Sequence, residues 1–220
     1  MRLGAAEFRF TTSADGDFAP PPSFDDDGLA QRRRIIADFP WTWLRQVHGV
    51  DAVVVTEPGA HKGAAVDAAV AVVPNAPVAV VTADCAPIVL VDDDGGSVAV
   101  VHAGWRGLTS GVMAAAVNAM RANGAGVIRA ALGPCIHAEC YEFVGDDLDV
   151  VVERFGPDVR GVTKAGTAAL DLPAAVRVAL GELGVELAFD ADACTSCTPG
   201  YWSHRARGDK ERQATVAWLA

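Results

Sequence analysis

Ile88-Val89-Leu90-Val91-Asp92-Asp93-Asp94-Gly95-Gly96-Ser97-Val98-Ala99-Val100-Val101 constrains the architecture of this chain more than any other segment. Two aliphatic, largely β-branched runs flank a cluster of Asp and Gly. Runs of this kind, apolar at every position, read as strands buried on both faces. Asp and Gly tolerate positive φ, so residues 92–96 close a hairpin and make the two strands antiparallel neighbours.

Working outward, Val53-Val54-Val55, Ala68 to Val73 and Val78 to Val81 are further strands of the same type. On the other side, Thr109 to Ala122 is rich in Ala and Met and predicts a helix, stopped near Asn123-Gly124. Ile128 to Leu132, Val185 to Phe189 and Thr215 to Leu219 read as strands, and Asp146 to Phe155 and Pro173 to Leu183 as helices. The first forty residues hold the least regular stretch. There Ala19-Pro20-Pro21-Pro22 and Asp25-Asp26-Asp27 read as exposed loop, and Arg32-Arg33-Arg34 as the solvated face of a short helix. No repeat stands out. The sum is a mixed α/β (α+β) domain with several hairpins.

At 220 residues the chain fits one domain, and 51% hydrophobic with 21% charged residues is an ordinary globular balance. A formal net charge of −10 repels phosphate backbones and anionic lipid, which excludes nucleic acid and membrane as partners. Met1-Arg2-Leu3-Gly4 lacks the apolar region of an export signal, and Pro74, Pro77, Asp84 and Pro87 interrupt the apolar stretch from Val66 to Val91, so a cytoplasmic protein is expected. Five cysteines without an export signal argue against a disulfide framework and leave metal binding or reactive thiols.

Three segments place polar groups where a strand end does not need them: Arg45-Gln46-Val47-His48-Gly49, Thr82-Ala83-Asp84-Cys85-Ala86-Pro87 and Val101-His102-Ala103-Gly104-Trp105-Arg106-Gly107. His48, Cys85 and His102, from three strand ends, can converge at one rim of a sheet as a nitrogen and sulfur donor set that suits zinc. Three protein donors leave a fourth position open, the arrangement of a catalytic ion. A buried Cys can equally be a small hydrophobe, and a His a satisfied polar side chain. Gly104, Arg106 and Gly107, just before the expected helix, together with Arg45 and Arg205, are candidates for holding an anion; a glycine turn with a surface arginine is the plainer alternative. Asp84 is a candidate general base or orienting group, or a turn cap. Trp41, Trp43 and Trp105 are either stacking platforms or core. Cys194-Thr195-Ser196-Cys197 is a C-x-x-C that could join Cys135 and Cys140 in a second, four-cysteine site, although C-x4-C is a loose half-site.

Over roughly residues 45–220 these segments resemble the laccase-domain family, whose members are described as polyphenol oxidases and as purine nucleoside phosphorylases. The resemblance runs through Gln46-Val47-His48-Gly49, Thr82-Ala83-Asp84-Cys85, His102 to Gly107, Gly133-Pro134 with Cys140-Tyr141-Glu142, and Cys194-Thr195 with Ser203 and Arg205. It implies zinc on His48, Cys85 and His102, phosphorolysis of adenosine, inosine and methylthioadenosine, and adenosine deamination. Five histidines cannot furnish a multicopper oxidase, and among Met1, Met113 and Met120 no axial ligand for a single copper is evident. Family members usually carry a longer N-terminal segment with a Thr-Thr-Arg-like turn, where this chain has Thr11-Thr12-Ser13 and a shortened segment 1–44.

The expectation is therefore a single domain over residues 1–220, mixed β-sheets in a sandwich flanked by helices. It is expected to be a zinc enzyme, monomer or homodimer, acting on purine nucleosides and phosphate. Cys85, Asp84 and Arg45 are its reacting groups, and Arg106, Arg205, Gly104 and Gly107 its phosphate and substrate contacts. The alternatives are a metal-free hydrolase or oxidoreductase using Cys85 as nucleophile, and a ligand-binding relative without turnover.

Overall fold

In the computed structural model, which describes residues 1–20 and 27–220, the deciding hairpin forms as expected. Among the described residues the strands are β1 (Arg2–Leu3), β2 (Ala6–Phe10), β3 (Thr42–Trp43), β4 (Ala52–Val55), β5 (Ala68–Ala71), β6 (Val78–Thr82), β7 (Ala86–Asp92), β8 (Val98–Ala103), β9 (Ile128–Leu132), β10 (Arg160–Val162), β11 (Ala168–Leu170), β12 (Glu186–Asp190) and β13 (Gln213–Leu219). The helices are α1 (Asp27–Ile36), α2 (Trp105–Ser110), α3 (Val112–Ala122), α4 (Asp146–Phe155), α5 (Leu172–Glu182) and α6 (His204–Arg207). β7 and β8 pair antiparallel in the register Val91↔Val98. Their turn is tied by the Asp92 carboxylate, which accepts the N–H groups of Gly96 and Gly126 at 3.1 and 3.2 Å.

The all-apolar strands are explained by what lies on each side. Ile88 and Leu90 of β7, with Val101 of β8, pack against Met113 and Met120 of α3 and Leu172 and Leu180 of α5. Val89 and Val91, with Val98 and Val100, face Val78 and Val80 of β6 and Ala217 of β13. Successive residues of a strand point to opposite faces, so a strand sandwiched between a helical layer and a second sheet needs an aliphatic group at every position. The six-stranded sheet runs β12-β9-β7-β8-β5-β4, and the five-stranded sheet packed on it runs β1-β2-β13-β6-β3. Phe18, Leu29, Trp41 and Val216 form a third apolar cluster on the far side of the smaller sheet, beneath α1. β10 and β11 make a separate hairpin. The result is a mixed α/β domain, two sheets face to face and flanked by helices.

The expectation differs from the structure in four places. The helix expected from Thr109 begins at Trp105 and is cut in two at Gly111, whose φ of 102° only glycine adopts readily. The N-terminal forty residues are more regular than expected, because β2 pairs along its whole length with β13, from Thr215↔Phe10 to Leu219↔Ala6. Of the stretches read as exposed loop, residues 21–26 lie outside the described part, and Asp27 opens α1. Arg33 is also less solvated than the helix-face reading implied, with its guanidinium 5.9 Å from the Trp41 ring and 5.5 Å from the Trp43 ring. Burial, reinforced by the neighbouring Arg32, pushes its pKa down to about 10.

Candidate metal centre

The sheet register explains why three distant residues meet. β7 and β8 are in register at Ala86↔Ala103, so Cys85, one residue before β7, comes opposite Gly104, one residue after β8. His102 sits one residue inside the same end of β8. Cys85 belongs to the short link by which the chain leaves the smaller sheet at Thr82 and enters the larger one at Ala86. His48 lies on the loop between β3 and β4. That loop is fixed by Gln46, whose side chain accepts from Val81 N–H at 2.8 Å and donates to Val81 C=O at 2.7 Å, extending the parallel pairing of β3 with β6. The donor atoms of His48, Cys85 and His102 all lie within 4.8 Å of one another. The imidazole centroids are 4.8 Å apart.

Asp67 organises this cluster, and sequence reasoning missed it. Ala68 pairs with Val101 at the start of β5, which brings Asp67 beside His102, and its backbone C=O accepts His102 N–H at 2.8 Å. The fully buried carboxylate accepts His102 Nδ1–H at 2.8 Å and the backbone N–H groups of Val47, His48 and Gly49 at 3.1, 3.0 and 2.7 Å. One carboxylate therefore shapes the His48 loop and turns His102 so that Nε2 is its free nitrogen, as expected of an outer partner of a ligating histidine. A lone acid heading the apolar run Ala68-Ala69-Val70 was the available signal.

Two more features fit a shared ion. A Cβ on Gly104 would meet Cys85 Sγ at 3.3 Å, His48 Nδ1 at 3.5 Å and His102 Cε1 at 3.7 Å, so the glycine keeps the space between the three donors clear. A Cβ on Gly107 would meet Gly49 C=O at 2.9 Å, so that glycine lets α2 lie against the His48 loop. His48 and Asp84 have φ of 58° and 97°, the left-handed region that few non-glycine residues enter and that His and Asp tolerate best.

The electrostatics are consistent within the cluster. Burial alone would push His102 down, but the Cys85 sulfur and the Asp67 carboxylate raise it to about 9. Burial would raise Asp67, but the hydrogen bonds from His102 and the Gly49 amide leave it below its ordinary value. Burial and the neighbouring His102 lower His48. Tyr141 is pushed up to about 12 by burial and by Cys85, so the phenol keeps its proton.

The expected site residues divide into two groups. Arg45, with His48, Cys85 and His102, lines a cavity of about 530 Å³ whose wall also includes Lys210 and Arg212. Arg106 and Arg205 are outside that lining. Arg106 stacks 4.2 Å from the Trp105 ring centroid and faces Asp147 at 3.8 Å, while Arg205 lies 5.1 Å from the Tyr141 ring and donates to Glu142 C=O at 3.2 Å. Asp84 is buried, with Oδ1 accepting from Thr195 Oγ1 and Oδ2 from the Arg205 backbone N–H, both at 2.7 Å. The Glu142 carboxylate accepts from Thr167. Trp41 and Trp43 line a separate cavity of about 540 Å³ with Arg33, and Trp105 packs edge-on to Phe143. His204 joins the lining of the first cavity, and His61 is exposed.

This fold and donor set define a mixed α/β domain with a three-donor centre at the rim of its larger sheet. The chain belongs to the family described as multi-copper polyphenol oxidoreductase laccase, matched over residues 26–220. It is 38% identical to a purine nucleoside phosphorylase of Streptomyces coelicolor over 80% of this chain and 74% of that protein. It is 35% identical to one of Mycobacterium tuberculosis over 96% and 91% of the two chains. Among solved structures, YlmD of Geobacillus stearothermophilus superposes with a TM-score of 0.81 at 27% identity, covering 98% of this chain and 92% of that one. The Neisseria meningitidis protein NMB0706 superposes at 0.82 and 26%, covering 99% and 95%. No described helix is long and apolar enough to cross a membrane.

Proposed function

We propose that this chain is a zinc-dependent purine nucleoside phosphorylase acting on adenosine, inosine and methylthioadenosine, with adenosine deamination as a second activity. One observation carries the reading: the three donors open onto a cavity of small-molecule size whose wall holds Arg45, Lys210 and Arg212. Phosphorolysis needs an anion held beside a nucleoside. Arg45 has no carboxylate partner among the described residues, so its guanidinium is available to take two phosphate oxygens at once. Leu44, Pro20 and Val81 give the same cavity apolar walls for the base and sugar. The names of the Streptomyces and Mycobacterium relatives support the same substrate class.

Zinc fits the donor types better than copper electron transfer does. Met113 and Met120 are buried on α3 within the core, so neither serves as a weak axial ligand. When bound, the ion supplies a Lewis acid and an activated water. The protein's own part is to hold the reactants. Arg45 positions phosphate, and Asp67 fixes the orientation of His102. Asp84 accepts a hydrogen bond on each oxygen and positions the Cys85 turn through Thr195 and Arg205. Arg205 and Arg106, flanking Tyr141, stand as contacts for the far end of the substrate. Gly104 and Gly107 give close packing. At the start of α2 their backbone N–H groups stand as further contacts for phosphate.

Incubating zinc-loaded protein with adenosine and phosphate, then separating the products, should give adenine and ribose 1-phosphate, with inosine from deamination; absence of all three overturns the proposal. A second reading uses the contact between His102 and Cys85 as a metal-free base and nucleophile pair. Full turnover by protein stripped of metal would favour it.

A further inference from the structure

The four-cysteine site considered from the sequence does not form, because Cys135 is fully buried and absent from the other cluster of donors among the described residues. Its place is taken by a carboxylate. Donor atoms of Glu139, Cys140, Cys194 and Cys197 lie within 4.8 Å of one another. Glu139 and Cys140 come from the short turn Ala138–Cys140, and Cys194 and Cys197 from the turn that follows β12. Cys197 Sγ is 3.7 Å from Glu139 Oε1 and within hydrogen-bond reach of Cys140 and Cys194.

The backbone is arranged around one sulfur. The N–H of His137 points at Cys194 Sγ at 3.4 Å, and those of Ser196 and Cys197 point at the same atom. Three backbone N–H groups aimed at one sulfur fix its position and leave it in the acceptor role that a ligating sulfur keeps. The cluster also joins pieces far apart in the chain: Cys135 and Cys194 form a backbone bridge, and Thr198 N–H donates to Cys194 C=O at 2.8 Å to close the second turn.

We propose that Glu139, Cys140, Cys194 and Cys197 form a second, structural binding site for zinc or another thiophilic divalent cation. Three thiolates and one carboxylate fill all four tetrahedral positions, leaving none for water or substrate. Each thiol gives up its proton to solvent as the ion binds. A disulfide would use two of the three sulfurs and leave the third beside the Glu139 carboxylate, which otherwise faces only His137 Nδ1 at 4.0 Å among the ion pairs of the described residues. The ion would fasten the Ala138–Cys140 turn to the turn holding Thr195, which donates to Asp84 beside Cys85.

The test uses the full-length chain with zinc and with cobalt as the probe ions. Reduced wild-type protein, loaded with zinc and dialysed, should hold two ions per chain, and Cys197→Ser should hold one. The variant His48→Ala/Cys85→Ser should still hold one, and with cobalt it should show the near-ultraviolet charge-transfer band of a site with several thiolates. Adding Cys197→Ser to it should abolish that band, and Glu139→Gln should weaken binding without abolishing it. The proposal is overturned if Cys197→Ser leaves the wild-type zinc content unchanged. It is also overturned if mass spectrometry finds two of the three cysteines joined as a disulfide in reduced, zinc-loaded protein. Failure of the first centre alone gives a different result: one ion, kept by Cys85→Ser and lost by Cys197→Ser.

Discussion

His48, Cys85 and His102 reach a common point from one loop and two strand ends, whereas Glu139, Cys140, Cys194 and Cys197 come from two turns outside the sheets. The first cluster has three donors, a buried carboxylate behind one of them, and a cation-lined cavity in front. The second has four donors and lines neither of the cavities described above. Donor count and surroundings together separate a centre that can act on a ligand from one that can only hold the chain. The largest difference is expected between Cys85→Ser and Cys197→Ser. The first variant should lower phosphorolysis by more than about a hundredfold, since even outer partners of a metal cost about 10–100-fold, and the second should keep most of the activity. Equal losses in a product assay would erase the distinction.

The next largest effect tests the outer partner. Asp67→Asn keeps the shape of the side chain but removes the charge that orients His102 and gathers the Val47, His48 and Gly49 amides. Zinc affinity of the first centre should fall by about 10–100-fold, measured by chelator competition, while the second cluster is unaffected. A smaller effect falls on the anion. Arg45→Ala should raise the KM for phosphate about tenfold, the equivalent of roughly 1.5 kcal/mol for a charge-assisted hydrogen bond. The KM for nucleoside should change much less.

The comparison also explains what the sequence made legible. The deciding hairpin and the flanking strands were readable because every residue of 88–91 and 98–101 is buried between two layers, and no other environment calls for unbroken aliphatics. The donor triad was readable as three polar interruptions at strand ends. Asp67 was not, because a single acid before an alanine run looks like a turn residue until the register places it beside His102. The second cluster was half readable. Cys194 and Cys197 announce themselves by spacing, but which of Cys135, Glu139 and Cys140 joins them depends on how the 3-10 turn at 138–140 points its side chains. The N-terminal strand β2 was hidden because its partner, β13, lies two hundred residues away.

The smallest effect is a pH dependence of stability in metal-free protein. His102 has a folded pKa of about 9 against an ordinary 6.5, raised by Cys85 and Asp67 in spite of its burial. A pKa raised on folding means that the folded state holds its proton more tightly, so the stabilisation is complete below pH 6.5 and is lost as pH climbs through 9. The expected loss across that window is on the order of 1 kcal/mol, or a few degrees in melting temperature. Zinc-loaded protein should lack this slope, because a ligating His102 has already surrendered the proton. Melting curves at pH 6, 7, 8 and 9, with and without zinc, measure both cases. Parallel curves would mean that His102 does not exchange its proton for the ion, and would detach the Asp67–His102 pair from the metal centre.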